Sequence, residues 1–158
     1  MAESPLNVLL VEDAETVAEL LKIWLTESSS TPIQLDRVLL LSEALERLGE
    51  RPYDAILLDL NLPDSEGLDT VRAVVEHSPL VPIVVLTGAA DPGQAIEAVK
   101  LGAQDYVVKT HMNGDAIVQS IAHAVERQRR APAGDRERPR QWIESEVYRI
   151  QQLAGASW

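Results

Sequence analysis

Three short runs of consecutive apolar residues, each leading into a polar side chain, limit what this chain can fold into. They occupy 8–11, 55–58 and 83–86. A short run that is apolar at every position is typical of a strand buried on both faces, as in a parallel sheet. In the clearest case the run leads directly into Asp59, and Pro63 then breaks the segment. An ionisable group at the carboxyl end of such a strand lies where open α/β sheets bind their ligands.

Segments with the apolar spacing of amphipathic helices separate these runs. Ser42 is the predicted N-cap of the second helix, and Gly102 the predicted end of the fourth. Asp36 and Arg37 mark the second strand as an edge strand. Five consecutive βα units predict an α/β domain with a parallel sheet and helices on both of its faces. We predict strands over 7–11, 34–40, 55–59, 83–87 and 105–109, and helices over 14–27, 43–48, 68–75, 95–101 and 117–130.

The organisation of the chain follows from a change in composition after residue 130. Residues 1–130 contain the βα units and are predicted to form one domain. Residues 131–141 are rich in proline, glycine and charge, which is typical of a linker. Residues 142–158 return to a helical pattern. We interpret them as a C-terminal helix, either for dimerisation or docking or as the start of an output region that is truncated in this chain.

Composition excludes several classes of function. The chain has no cysteine, which excludes disulfides and thiolate metal sites. No apolar run approaches the roughly 18–20 residues that a membrane span needs, and no signal peptide is recognisable, so we expect a cytoplasmic protein without a membrane partner. Residues 1–125 contain 7 basic and 20 acidic side chains, whereas 126–158 contain 7 basic and 5 acidic ones. Such an acidic domain would repel phosphate backbones, so we expect no direct binding of nucleic acid.

The polar groups at the ends of the strands form a candidate site. Glu12 and Asp13 follow the first strand, and Asp59, Thr87 and Lys109 end the third, fourth and fifth. Because parallel strands end at one edge of the sheet, these side chains are expected to converge there. Three carboxylates in one place raise each other's pKa unless a cation compensates them, and Mg²⁺ prefers oxygen ligands. A lysine and a hydroxyl nearby suit the transfer of a phosphoryl group, with a carboxylate as nucleophile.

With these residues the chain resembles the response regulator receiver domain of two-component signalling, over residues 6 to 130. The matching motifs are VEDA at 11–14, LLDLNLPDSEG at 57–67, VVLTG at 84–88 and GAQDYVVK at 102–109. The resemblance implies a flavodoxin-like, doubly wound (βα)₅ fold with strand order 2-1-3-4-5. It also implies a signalling switch that receives its phosphoryl group from a sensor histidine kinase or a phosphotransfer protein.

The resemblance assigns a role to each residue of the site. Asp59 would accept the phosphoryl group, and Thr87 and Lys109 would each contact a phosphoryl oxygen. Glu12, Asp13, Asp59 and the main-chain carbonyl of Asn61 would bind Mg²⁺ or Mn²⁺. Tyr106 would move with Thr87 as the switch, altering the surface of the fourth and fifth helices for partner binding or homodimer formation.

The resemblance has one departure. Thr110 follows Lys109 where the family has a proline in a cis peptide. A cis bond before another residue costs about 2.5–4 kcal/mol, so we expect a trans bond here. Asp64 is interpreted as a loop or cap residue. His77, His111 and His123 show no metal-binding arrangement and are interpreted as surface residues.

Two other classes of function remain open at this stage. The first is a receiver-like interaction module that is never phosphorylated, although the complete set of site residues argues against it. The second is a metal-dependent phosphohydrolase that resembles the haloacid dehalogenase type, but those enzymes have an aspartate where this chain has Asn61. We expect no turnover of an external substrate. A nucleotide-binding fold is disfavoured, because the residues after the first strand contain no glycine fingerprint.

Overall fold

The structure is a computed structural model that describes residues 4–27, 31–88 and 91–130. The predicted linker at 131–141 and the predicted C-terminal helix at 142–158 lie outside the described residues. Five strands of one sheet and five α-helices alternate along the described chain, as the apolar runs predicted, and a short hairpin of Asn61–Leu62 with Ser65–Glu66 follows the third of these strands. The strands are β1 (Leu6–Val11), β2 (Ile33–Val38), β3 (Ala55–Asp59), β4 (Ile83–Thr87) and β5 (Asp105–Val108), and the helices are α1 (Glu15–Thr26), α2 (Leu41–Glu50), α3 (Leu68–His77), α4 (Pro92–Leu101) and α5 (Gly114–Arg130).

The five strands form one parallel sheet in the order β2-β1-β3-β4-β5. This confirms the doubly wound, flavodoxin-like topology, and it confirms β2 as an edge strand. The central strands β3 and β4 are buried at every position. Their apolar sequences follow from this position, because a parallel strand in the middle of such a sheet is covered by helices on both faces.

Two hydrophobic cores lie on opposite faces of the sheet because successive side chains of a strand alternate between them. Leu9 faces one core, which also receives side chains of α2, α3 and α4. Leu10 faces the other core, together with residues of α1 and α5. Leu9 and Leu10 are both fully buried. Side chains packed between the strands and the helices therefore fill both faces of the sheet. A functional site can then form at the ends of the strands.

The polar ends of the strands meet at one edge because of the register. Leu58 pairs with Val11 of β1, and Asp59 pairs with Leu86 of β4. Thr87 pairs in turn with Val108 of β5. The residues that end β1, β3, β4 and β5 therefore lie in neighbouring rows of the sheet. The convergence predicted from parallel pairing is confirmed at the level of the backbone.

One predicted helix start is wrong. Ser42 was expected to cap α2, but α2 begins at Leu41 and its N-cap position is Leu40. The carboxylate of Asp64, in the loop after β3, accepts hydrogen bonds from the main-chain N–H groups of Leu41 (2.8 Å) and Ser42 (3.0 Å). A distant carboxylate thus replaces the local serine, and Asp64 is confirmed as a cap residue.

The predicted end of α4 and the predicted trans peptide are both confirmed. Gly102 is the C-cap of α4 with φ of 139°, a conformation that favours glycine. The described residues contain no cis peptide bond, and the chain after β5 forms one 3₁₀ turn over Lys109–His111. Among the described helices, none is both long enough and apolar enough to cross a membrane.

Candidate functional site

Three carboxylates lie together at the carboxyl edge of the sheet. Asp59 is the last residue of β3 and is 2% exposed, whereas Glu12 directly follows β1 and is fully buried. Asp13, the next residue, is exposed. One oxygen from each of these three side chains lies within 4.8 Å of the others. Such a group of oxygen ligands, open on the side of Asp13, has the chemistry that a Mg²⁺ site requires.

Lys109 provides the positive charge nearest to the two buried carboxylates. Its Nζ lies 2.5 Å from Glu12 Oε1 and 3.1 Å from Asp59 Oδ2. The lysine side chain is 19% exposed, so its ammonium is largely removed from water. Burial opposes the charged form of Lys109, but the interactions with Glu12 and Asp59 outweigh this effect and raise the pKa of the ammonium. Lys109 is therefore held as a cation between the two acids.

One cation does not fully compensate this cluster. Burial, followed by the interaction with the Asp59 carboxylate, raises the pKa of Glu12 to about 8, although Lys109 acts in the opposite direction. Glu12 Oε2 is buried and has no hydrogen-bond donor among the described residues. A buried carboxylate oxygen without a donor is costly, and a divalent cation would satisfy it. The residues of the cluster thus fit a bound Mg²⁺.

The loop after β3 is attached to Asp59 by its own backbone. The main-chain N–H of Asn61 donates to Asp59 Oδ1 at 3.1 Å, while Lys109 occupies Oδ2. Both oxygens of Asp59 therefore have a donor that fixes the orientation of the carboxylate. The loop then forms a two-residue antiparallel hairpin, Asn61–Leu62 with Ser65–Glu66. Asn61 lies beside the carboxylate cluster, as its predicted role as a main-chain ligand requires.

Thr87 and Tyr106 lie next to each other on the neighbouring strands β4 and β5. Thr87 is 6% exposed and Tyr106 is 7% exposed. Burial raises the pKa of the Tyr106 phenol, and a hydrogen bond with the Thr87 side chain partly opposes this shift. The phenol also donates to Gln94 Oε1 of α4 at 2.9 Å. Tyr106 therefore already lies in the protein interior, linked both to Thr87 and to the first turn of α4.

Sequence reasoning missed the hydrogen bond between Gln94 and Tyr106. It placed Asp64 in a loop or cap but did not identify α2 as the helix that Asp64 caps. Gln94 follows Asp91, whose side chain caps α4 by accepting from the Gln94 N–H at 3.1 Å. An Asp-Pro pair before a helix is a recognisable start signal, but it does not reveal that the Gln94 amide binds a tyrosine on β5. Among the described side chains, no histidine belongs to the carboxylate cluster. His77 and His123 are exposed, as predicted, and the side chain of His111 lies outside the described part.

Comparison with known proteins agrees with this geometry. The family model of the response regulator receiver domain matches residues 8–122. The regulatory protein LuxO of Vibrio cholerae is 42% identical over 102 residues, which are 63% of this chain and 21% of LuxO. The chain thus spans about a fifth of the length of that relative.

Solved structures share the fold. A response regulator protein from Burkholderia pseudomallei, with a phosphorylated aspartic acid, calcium ion and citrate, has a TM-score of 0.64 and 30% identity, covering 78% of this chain and 71% of that one. The beryllofluoride-activated NtrC4 receiver domain dimer has a TM-score of 0.70 and 29% identity, covering 77% of this chain and 98% of that one. From its fold, its site and these matches, the chain belongs to the response regulator receiver domains of two-component systems.

Proposed function

We propose that Asp59 accepts a phosphoryl group from a sensor histidine kinase or a phosphotransfer protein in the cytoplasm, and that the reaction requires Mg²⁺ or Mn²⁺. The observation that carries this proposal is the position of Lys109 Nζ, within 3.1 Å of two buried carboxylates, Asp59 at the end of β3 and Glu12 directly after β1. A purely structural ion pair needs one carboxylate for one lysine. An excess of buried carboxyl groups over cations around a nucleophile is explained by a reaction that brings a metal ion to it.

The proposed transfer is a nucleophilic substitution at phosphorus. An Asp59 oxygen forms the new O–P bond while the N–P bond of the donor phosphohistidine breaks, and its electron pair stays on the imidazole nitrogen. Catalysis of such a transfer consists mainly of positioning and charge neutralisation. Lys109 would pair with one phosphoryl oxygen, and the Thr87 hydroxyl would bind another. Mg²⁺, when bound by Glu12, Asp13, Asp59 and the Asn61 carbonyl, supplies positive charge to the phosphoryl oxygens.

The proposed output is a change of the surface formed by α4, β5 and α5. Thr87 would be drawn towards the phosphoryl group, and the Tyr106 phenol would follow because the two side chains are hydrogen-bonded. Since Tyr106 also binds Gln94, this movement would reach the start of α4. The NtrC4 receiver, solved as an activated dimer, supports homodimer formation as one consequence of such a change. The chain itself would not turn over an external substrate.

Phosphorylation of the isolated protein by acetyl phosphate tests the proposal. We expect one phosphoryl group on the wild-type protein in MgCl₂ and none in excess EDTA, measured by intact mass spectrometry and located by peptide mapping. Asp59→Asn should remove the modification. Asp69→Asn is the matched control, because that exposed carboxylate of α3 pairs with Arg72 and lies outside the cluster. The absence of labelling in MgCl₂, or labelling of Asp59→Asn at another residue, would contradict the assignment. Turnover of para-nitrophenyl phosphate would instead indicate a phosphohydrolase.

A further inference from the structure

We propose that Arg37, on the edge strand β2, is a positioning residue for the metal site. The sequence marks it only as a charge on an edge strand. In the structure its guanidinium binds the main-chain carbonyl groups of the adjacent acidic residues Glu12 and Asp13. This inference rests on the proposed function, because it assigns to Arg37 the task of holding Glu12 and Asp13 ready for Mg²⁺.

The geometry is that of one side chain bridging two successive carbonyl groups. Arg37 Nε donates to the Glu12 main-chain oxygen at 3.0 Å, and Nη2 donates to the Asp13 main-chain oxygen at 3.3 Å. In the parallel register Arg37 pairs with Leu10, two residues before Glu12. Its side chain therefore runs forward along the sheet to the end of β1. The planar guanidinium offers two donors at a fixed spacing, which a lysine ammonium cannot do.

The segment that Arg37 holds is also anchored by Lys109 at the Glu12 side chain and by the Ala18 N–H at the Ala14 carbonyl (3.0 Å), whereas Arg37 binds the carbonyls of Glu12 and Asp13. Residues 12–14 join the end of β1 to the start of α1 at Glu15. The N-cap position of α1, Ala14, provides no side-chain hydrogen bond. The Glu12 N–H is bound by the Val38 carbonyl at 3.1 Å, which is again a contact with β2. The strand β2 thus fixes the segment through one backbone contact and through both donors of Arg37.

Fixing this segment matters because its carboxylates repel one another. Glu12, Asp13 and Asp59 have oxygens within 4.8 Å, and the single charge of Lys109 does not fully offset their repulsion when all three are ionised. Contacts that orient ligands from outside the metal's own ligand set commonly affect metal affinity. By holding both main-chain oxygens, Arg37 keeps the two side chains on the Asp59 side, so less reorganisation is needed when the metal binds.

The direction in which the Mg²⁺ affinity changes when Arg37 is replaced distinguishes positioning from simple electrostatics. Arg37 is a cation close to a proposed cation site, so removing its charge should by itself strengthen Mg²⁺ binding. Loss of positioning should weaken it. Arg37→Lys separates the two effects further, because it keeps the charge and loses the two-donor geometry. Positioning predicts weaker binding for both Arg37→Gln and Arg37→Lys.

Titration of ¹⁵N-labelled protein with MgCl₂, followed by NMR, measures the affinity directly. We expect Arg37→Gln to weaken Mg²⁺ binding about tenfold, at the low end of the range for such outer contacts, and Arg37→Lys to weaken it as well. In phosphorylation by acetyl phosphate, both variants should need more Mg²⁺ for half-maximal rate and should reach the wild-type rate at saturation. Arg51→Gln is the control, because Arg51 pairs with Asp36 of β2 at 3.0 Å and this contact does not involve residues 12–14.

Each outcome of this titration decides one question. Mg²⁺ affinity within twofold of wild type for Arg37→Gln and Arg37→Lys, stronger binding by Arg37→Gln, or an equal loss in Arg51→Gln would overturn the role of Arg37. Should Arg37→Gln fail to fold, as judged by circular dichroism, the affinity of Arg37→Lys decides alone. If the wild-type protein itself does not bind Mg²⁺, the proposed function fails, and not the positioning argument alone.

Discussion

Replacing the proposed nucleophile should stabilise the protein when no metal is present. In Asp59→Asn the carboxylate beside Glu12 becomes a neutral amide of nearly the same shape. The amide oxygen can still accept the hydrogen bond that the Asn61 N–H now donates to Asp59 Oδ1. Lys109 keeps its contact with Glu12 at 2.5 Å. The substitution therefore removes repulsion while it preserves most of the local contacts.

The magnitude follows from the pKa of Glu12, which rises from its ordinary value of 4.5 to about 8. An acid whose pKa is raised by folding keeps its proton in the folded state after the unfolded chain has released it. Stability therefore falls as the pH rises from about 4.5 to about 8. At about 1.4 kcal/mol per pKa unit, the full effect at pH 8 is at most about 5 kcal/mol.

Asp59 accounts for only part of this cost. Burial is the largest cause of the shift, and the interaction with Asp59 comes next. We assign roughly 1–2 kcal/mol to Asp59 at pH 8. The lost attraction between Lys109 and position 59 offsets some of this gain, so we expect Asp59→Asn to be more stable by about 1 kcal/mol.

Urea denaturation in excess EDTA, followed by far-UV circular dichroism from pH 5 to pH 8.5, measures the difference. At pH 5 Glu12 is protonated in both proteins, so only the lost attraction to Lys109 counts and Asp59→Asn should be slightly less stable than wild type. Its stability relative to wild type should then rise up to about pH 8. Excess MgCl₂ should reduce or reverse this rise, because the wild-type cluster would then bind the metal. Asp69→Asn should show no such dependence on pH. A variant that is less stable than wild type at pH 8, or an advantage that is the same at every pH, would refute the reasoning.

Two further substitutions test contacts that support the site. Asp64→Ala removes the acceptor of two main-chain N–H groups of α2, at Leu41 and Ser42. It should lower the free energy of unfolding in urea by about 1 kcal/mol, as the loss of a helix cap does. An effect no larger than that of Asp69→Ala would contradict this expectation. Gln94→Leu removes the acceptor of the buried Tyr106 phenol and should cost about 1 kcal/mol. In a double-mutant cycle the same change should cost far less in the Tyr106→Phe background, and simple additivity would show that the hydrogen bond contributes nothing.

The fold could be predicted because buried positions are occupied by apolar residues, which the sequence shows directly. The strands β3 and β4 are covered on both faces, so they contain almost no polar residue before their last position. Parallel pairing then places Asp59 and Thr87 at the same edge without any knowledge of side-chain geometry. The composition of the candidate site followed from topology alone, since Lys109 is fifty residues from Asp59 and still lies 3.1 Å from it.

The contacts that support the site cannot be recognised from the residue types. Ser42 has the local signature of an N-cap, yet Asp64, 22 residues away, binds the first N–H groups of α2. A side chain that binds the main chain, as Arg37 does, can act on any pair of residue types, so neither partner shows the contact in the sequence. The choice of candidate site residues follows from the sequence, whereas the contacts that hold them in place can be seen only in the coordinates.

The same repulsion that costs stability can also serve the proposed reaction. In the metal-free protein, burial and, after it, the nearby Asp59 raise the pKa of Glu12 to about 8, so Glu12 holds a proton near neutral pH. A divalent cation at this cluster would displace that proton and would remove the electrostatic cost of bringing the carboxylates together. Part of the metal's binding energy would thus be the relief of a strain built into the fold. If Arg37 prevents the carboxylates from relieving it by moving apart, a cation becomes the remaining way to do so, which would link the charge of Asp59 to the metal that the proposed phosphorylation requires.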